Sequence, residues 1–312
     1  MLPAFNRAAA AIAVGLLAGA IHSPASAQKG AGVSVPTVRS DPGTYSPAAQ
    51  GVQSPWVKSH QSSTRLVAGA EPGSAGGTRL LAGVELRLSE GWKTYWRHPG
   101  DDGGLPPTFD WSASRNLKAA RVHYPAPQRL KTATGISIGY MAGVVFPVEI
   151  QAVDPTQPVE LVLNLDYGIC REICVPAEAR MRLTLPPSLT VLPPEIATAL
   201  ARVPRVLDAA PEPGPSALPR LAGASAVLGG PAAALTFDIA TGAAAARADL
   251  FVEAPDGVYL PMTVKAGEVR AGVQRFRIDL KGVEDAAKLA GKALRLTITG
   301  INGGTEQSWV VR

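Results

Sequence analysis

The sequence predicts an all-β protein with two β-sandwich domains joined by a Pro-rich linker. Many short segments alternate between apolar and polar residues, and few segments have a helical period. A Pro-rich stretch separates these segments into two blocks. Alternation of this kind is typical of antiparallel strands that place one face on a core and the other in water.

The N-terminal segment has the features of a secretory signal. Arg7 precedes an apolar run over residues 8–21, and the small residues Ala25, Ser26 and Ala27 form a cleavage site. A run of about 14 residues is shorter than the roughly 20 that a membrane-spanning helix needs. We therefore expect export, cleavage after Ala27 and a mature protein that does not span a membrane.

The charge of the mature chain argues against nucleic acid as a partner. Without Arg7, 29 basic and 25 acidic residues remain, a net charge of +4, and no run of lysine or arginine is present. The H-E-x-x-H motif, the phosphate-binding loop and the dinucleotide fingerprint are also absent from the sequence. Zinc metalloproteases of that type and the common nucleotide-binding classes are thus disfavoured.

Composition divides the mature chain into four segments. Residues 28–62, rich in Ser, Pro, Gly and Gln, predict a flexible lead-in, and residues 63–190 predict the first sandwich. Residues 191–220 predict a short helix from Pro194 to Arg202 and then the linker, and residues 221–312 predict a second β-rich domain. The predicted strands lie at residues 84–88, 92–96, 159–167, 179–185, 276–280 and 294–298, with a short helix at 284–292. Residues 135–151 predict one or two further strands with a turn.

Both cysteines of the chain, Cys170 and Cys174, lie in the stretch YGICREICVP. In a straight strand their Cα atoms would be about 13 Å apart, whereas a disulfide needs about 4.4–6.8 Å. A bond between them therefore requires a turn, placed between a strand that ends near Tyr167 and one that begins near Ala177. Such a short loop adds only about 2 kcal/mol of stability.

Three interpretations of this pair remain open from spacing and compartment. One is a static clip that fixes a turn, and the second is a redox-active disulfide that opens and closes. The third is a copper site that uses both thiols, with His98 or His123 as a further ligand, because C-x3-C in an exported protein resembles the copper-binding motif of Sco-type cytochrome oxidase assembly proteins. No organic cofactor is required by any of them.

A second informative stretch is GWKTYWRHPGDDGGLPPTFDW, residues 91–111, which holds three of the five tryptophans. Adjacent acids in a Gly-rich loop are usually turn formers, so we interpret Asp101 and Asp102 in that way and not as a catalytic pair. Together with YPAPQRL, GYMAGVVFPVEI and the cysteine stretch, in this order, the motif resembles the periplasmic N-terminal region of DsbD-type thiol:disulfide interchange proteins. The resemblance covers about residues 65–190 and is nearest to the suppressor-of-copper-sensitivity reductase branch.

The resemblance implies an immunoglobulin-like sandwich in which Cys170 and Cys174 cycle between dithiol and disulfide, as in a protein-disulfide reductase. It implies a periplasmic location, with cytochrome c biogenesis and copper tolerance as processes, and aromatic shielding of the pair. Tyr167, Trp96 and Tyr140 are the candidates for this shielding, with ordinary core packing as the alternative for each. The sequence ends at Arg312 without a membrane or thioredoxin-like domain. We therefore expect a separate membrane thiol reductase as electron donor and a thioredoxin-like protein as acceptor.

Overall fold

Two pairs of β-sheets make up the part of the chain that the structure describes. The structure is a computed structural model, and it describes residues 52–73, 77–132, 135–207, 218–241, 247–255 and 257–312. The predicted signal segment, most of the predicted lead-in and the Pro-rich residues 208–217 of the linker lie outside these ranges. No helix in the described ranges has the length and apolar character that crossing a membrane requires.

The first pair of sheets forms a sandwich around one core. Its strands are β1 (Val57–Ser59), β2 (Ser62–Pro72), β3 (Thr78–Leu88), β4 (Lys93–Gly100), β5 (Thr108–Asp110), β6 (Leu117–Val122), β7 (Gln128–Lys131), β8 (Ile136–Met141), β9 (Gly143–Ala152), β10 (Val159–Cys170) and β11 (Cys174–Leu185). One sheet has the order β1-β2-β3-β9-β6, and the other has the order β11-β10-β4-β8-β7, with β5 on β10. All these pairings are antiparallel.

Alternation in sequence accounts for the strands that carry the cysteines. In β11 every second residue from Ala177 to Leu185 is buried, and its neighbours face outward. The opposing residues of β10, from Val159 to Tyr167, are buried in the same core. The predicted strands here are confirmed, and the hairpin is fixed in register by the apolar face that it buries.

The start of the first sandwich differs from the prediction, whereas the helix after its last strand agrees with it. Residues 57–59 of the predicted lead-in are β1, which pairs with β2, so the flexible lead-in does not extend to residue 62. At the other end, helix α1 (Pro194–Ala201) is where the sequence predicted it. Ile196 anchors α1 because its side chain fits against Gly69 and Gly83 of the sheet, where a Cβ would come within 2.9–3.0 Å.

The second pair of sheets forms a smaller sandwich. Its strands are β12 (Arg205–Val206), β13 (Arg220–Val227), β14 (Ala234–Ala240), β15 (Asp249–Glu253), β16 (Val264–Arg270), β17 (Val273–Asp279), β18 (Ala293–Gly300) and β19 (Gly303–Val310). The sheet orders are β12-β19-β18-β15 and β13-β14-β17-β16. In place of the predicted helix at 284–292 there is a single 3-10 turn, Ala286–Leu289, which ends where Ala290 leaves the helical conformation with a ψ of 126°.

The sandwiches are packed against each other. Phe251 of β15 is 2% exposed and belongs to the core of the first sandwich, where its ring lies 5.8 Å from the ring of Trp96. Arg97 reaches Glu253 and Glu306, and Arg129 reaches Asp249. The strand β4 is therefore shared between the cysteine site at one end and the junction with the second sandwich at the other.

Candidate functional site

The cysteines are the last cross-strand pair of the β10–β11 hairpin. Pairing runs without a break from Val159 with Leu185 to Cys170 with Cys174, and only residues 171–173 form the tip. Directly opposed residues of an antiparallel pair have Cα atoms about 4.5–5.5 Å apart, inside the range for a disulfide. The predicted strand ends near Tyr167 and Ala177 are thus wrong by three residues each, because a turn of three residues, 171–173, is enough to place the two cysteines opposite each other.

The two sulfur atoms are in contact but differ in exposure. Both residues are free thiols, with the Sγ atoms 2.8 Å apart. Cys170 is 6% exposed, whereas Cys174 is an exposed residue next to Ile173, which is 70% exposed. A large reactant therefore reaches the sulfur of Cys174 first, and Cys170 lies behind it.

A tyrosine hydroxyl completes the site. The Oη atom of Tyr95 lies 2.7 Å from Sγ of Cys174, although the ring itself is 2% exposed. Burial, followed by the hydrogen bonds to Cys174 and Cys170, raises the pKa of Tyr95 far above its usual value. The phenol therefore keeps its proton and is a hydrogen-bond donor whenever Cys174 is a thiolate.

Strand β4 brings Tyr95 to the cysteines. It pairs with the end of β10, where Lys93 opposes Cys170 and Thr94 opposes Ile169. Because successive side chains alternate between faces, Tyr95 points away from the core that buries Trp96. The sequence predicts a strand at residues 92–96, but not which strand it pairs with.

Two glycines fix the position of the Tyr95 ring. A Cβ on Gly104 would lie 2.3 Å from Cε1 of Tyr95, and one on Gly168 would lie 3.0 Å from Cε2. Gly104 has a φ of 146°, a conformation that residues with a side chain rarely adopt. The ring is thus held between a loop on one edge and the backbone of β10 on the other.

Burial and nearby polar groups shift the pKa of the Cys170 thiol in opposite directions. Burial raises the pKa of the Cys170 thiol, and the neighbouring Cys174 adds to this effect. The Tyr95 hydroxyl and the Lys93 ammonium group lower it, but the net direction is upward. Cys170 is therefore held as a thiol until a change in its surroundings removes its proton.

The aromatic residues expected to shield the pair lie elsewhere. The hydroxyl of Tyr167 bonds to Ser62 at 2.8 Å, and that of Tyr140 donates to the carbonyl oxygen of Pro125 at 2.8 Å. Trp96 packs on Phe251 of the second sandwich. All three belong to the core, and Tyr95, which the sequence analysis did not single out, occupies the position beside the sulfur atoms.

The two histidines considered as copper ligands lie in other surroundings. His98 lines a small cavity with Trp96 and Phe251, about 16 Å along β4 from the position opposite Cys170. His123 lies 3.3 Å from Glu149, and burial lowers its pKa. Among the described residues, no three His, Cys, Asp or Glu side chains are grouped as metal ligands.

Asp101 and Asp102 lie in a turn after β4, as interpreted from the sequence, and their side chains anchor this loop through hydrogen bonds. Asp101 accepts hydrogen bonds from the Met262 amide and from the Tyr259 hydroxyl, both at 3.0 Å. Asp102 accepts one from the Thr132 hydroxyl. The two carboxylates thus contact different partners and do not converge on one reactant.

Comparison with known proteins identifies the first sandwich. Residues 67–186 match the family described as the N-terminal domain of the thiol:disulfide interchange protein DsbD. The structure matches the N-terminal periplasmic domain of ScsB from Proteus mirabilis with a TM-score of 0.62 and 21% identity, over 83% of this chain and 98% of that one. This likeness extends over both sandwiches and shows that they share the ScsB fold.

A second solved structure is more distant. It is the N-terminal domain of DsbD from Neisseria meningitidis in the reduced form, with 17% identity over 39% of this chain and 85% of that one. Its TM-score of 0.23 is too low to support an argument. No curated protein matches the sequence.

Proposed function

Because residues 67–186 form a DsbD-type N-terminal domain, we propose that the chain carries out thiol–disulfide exchange in the periplasm through Cys170 and Cys174. The observation that carries the proposal is the pair itself. It combines an exposed cysteine, a buried cysteine whose sulfur is in contact with that of the first, and a tyrosine hydroxyl at the sulfur of Cys174. This arrangement suits two sequential attacks by different sulfur atoms.

In the first step, the Cys174 thiolate attacks one sulfur of a partner disulfide. A mixed disulfide forms between Cys174 and the partner, the partner's S–S bond breaks, and the released partner sulfur takes up a proton. The Tyr95 hydroxyl donates a hydrogen bond to the Cys174 thiolate before the attack. Exposure of Cys174 and Ile173 leaves room for the partner at this point of the hairpin.

In the second step, Cys170 resolves the mixed disulfide. Its thiol loses a proton, aided by the nearby Lys93 ammonium group, and the thiolate attacks the sulfur of Cys174. The Cys170–Cys174 bond forms and the second partner sulfur leaves as a thiol. Two electrons and two protons have then passed to the partner, and no other co-reactant is needed.

The proposed partners follow from the same chemistry. The acceptor is a periplasmic protein with an accessible disulfide, of the thioredoxin-like class, and the donor that restores the dithiol is a membrane thiol reductase. The family match supports partners of the thiol-redox class. That the acceptor is thioredoxin-like and the donor is a membrane thiol reductase is part of the proposal.

A stoichiometric exchange assay tests the proposed function. We expect the reduced protein to reduce one equivalent of a thioredoxin-fold protein that carries an oxidising active-site disulfide, and to do so faster than glutathione at the same thiol concentration. The second thiol makes resolution intramolecular, which favours it over a second bimolecular step. A rate no greater than that of glutathione would contradict the proposal.

A further inference from the structure

The segment between β4 and β5, residues 101–107, connects the cysteine site with the second sandwich. We name it the bridging loop. It starts beside Gly100 at the end of β4 and contains Gly103 and Gly104, all three with positive φ. A glycine-rich segment has many accessible conformations, so its position depends on the contacts that hold it.

The second sandwich holds the start of the bridging loop. The backbone amide of Met262 donates a hydrogen bond to Asp101 Oδ1 at 3.0 Å, and Tyr259 donates one through its hydroxyl, also at 3.0 Å. The amide of Met262 also lies 3.3 Å from Oδ2. A carboxylate with two donors forms charge-assisted bonds, which are stronger than neutral ones.

The end of the bridging loop lies on the cysteine site. Gly104 lies against one edge of the Tyr95 ring. The next residue, Leu105, accepts a hydrogen bond through its carbonyl oxygen from the amide of Gly168, at 2.9 Å, two residues before Cys170. Movement of the bridging loop therefore frees one side of the ring whose hydroxyl contacts Cys174.

We propose that Asp101 is a positioning residue, through which the second sandwich holds the Tyr95 hydroxyl against the sulfur of Cys174. This inference gives the second sandwich a role in the redox site and rests on the proposed function for its consequence. A hydrogen bond from Tyr95 stabilises the reduced form of Cys174 and is weakened when that sulfur enters a disulfide. The contact of Asp101 with Met262 and Tyr259 thus shifts the equilibrium between dithiol and disulfide toward the dithiol.

The test is a thermodynamic cycle on the equilibrium with reduced and oxidised glutathione. Tyr95→Phe is expected to lower the equilibrium constant for reduction about fivefold, the effect of one ordinary hydrogen bond. That factor corresponds to a potential lower by about 20 mV, since tenfold is about 30 mV. Asp101→Ala is expected to lower the constant about two- to fivefold, and the double variant is expected to match Tyr95→Phe alone.

Two control variants separate positioning from general stability. Asp101→Asn keeps an oxygen acceptor for the Met262 amide and is expected to retain the wild-type constant. Asp249→Ala removes the ion pair with Arg129, at the same junction but without contact to the bridging loop, and is also expected to leave the constant unchanged. A shift with Asp249→Ala equal to that with Asp101→Ala would overturn the inference.

Additive effects of Asp101→Ala and Tyr95→Phe would also overturn it, because Asp101 would then not act through Tyr95. The outcome is independent of the proposed function, since the glutathione equilibrium involves no protein partner. If the double variant matches Tyr95→Phe as expected but the protein assay shows no exchange, the proposed function alone is contradicted. An additive cycle with rapid exchange contradicts the role of Asp101 alone.

Discussion

Cys174→Ser is expected to abolish disulfide exchange, whereas Cys170→Ser is expected to keep the first attack and lose the second. Cys174 is the exposed residue of the pair and Cys170 is the buried one, with their sulfur atoms 2.8 Å apart. Without Cys170, the mixed disulfide with the partner has no internal thiol to resolve it. The loss of turnover should therefore be complete in both variants, for different reasons.

Trapping of covalent adducts distinguishes the two variants. Cys170→Ser, incubated with an oxidised thioredoxin-fold protein, should accumulate a mixed disulfide that is visible on a non-reducing gel. Cys174→Ser should give little or none, although both variants retain the fold because the pair closes only a short loop. Equal trapping by the two variants would show that burial does not decide which sulfur attacks.

Arg97→Ala is expected to lower the free energy of unfolding by about 3 kcal/mol, in the range for breaking a buried ion pair. The guanidinium group is 19% exposed and bonds to Glu253 at 2.7 Å and to Glu306 at 2.6 Å. It also lies 4.3 Å over the ring of Trp96. Its removal leaves two mostly buried carboxylates without their shared counter-ion at the junction of the sandwiches.

The prediction is tested by measuring the free energy of unfolding in urea for Arg97→Ala and, as a control, for Arg295→Ala. Arg295 lies 3.7 Å from the same Glu306 but is 55% exposed, and an exposed ion pair contributes about 0–1 kcal/mol. The first variant should thus be much less stable than the second. Similar losses in both would mean that the junction does not depend on the buried arginine.

Local patterns in the sequence were sufficient for only some of the strands. Alternation predicted β10, β11, β17 and β18, because each has one face on a core and one in water. The helix α1 was also predicted, since Pro194 fits its first turn. These elements are determined by residues close together in the chain. They could be predicted without knowing which strands or sheets they pack against.

Long-range pairing accounts for what the sequence did not predict. Tyr95 reaches Cys174 only because β4 pairs with the last residues of β10, where the Thr94 hydroxyl donates to the carbonyl oxygen of Gly168, 74 positions along the chain. Phe251 enters the core of the first sandwich from the second. Contacts of this kind depend on the register of sheets and on how sandwiches pack, which no local period records.

The reduction potential of the Cys170–Cys174 pair tests the central claim most directly. It is measured on the purified protein by equilibration with glutathione buffers and alkylation of the free thiols. A redox-active pair predicts a value between about −270 and −120 mV, among the exchanging oxidoreductases. A value below about −300 mV is typical of a structural disulfide, and it would contradict the account.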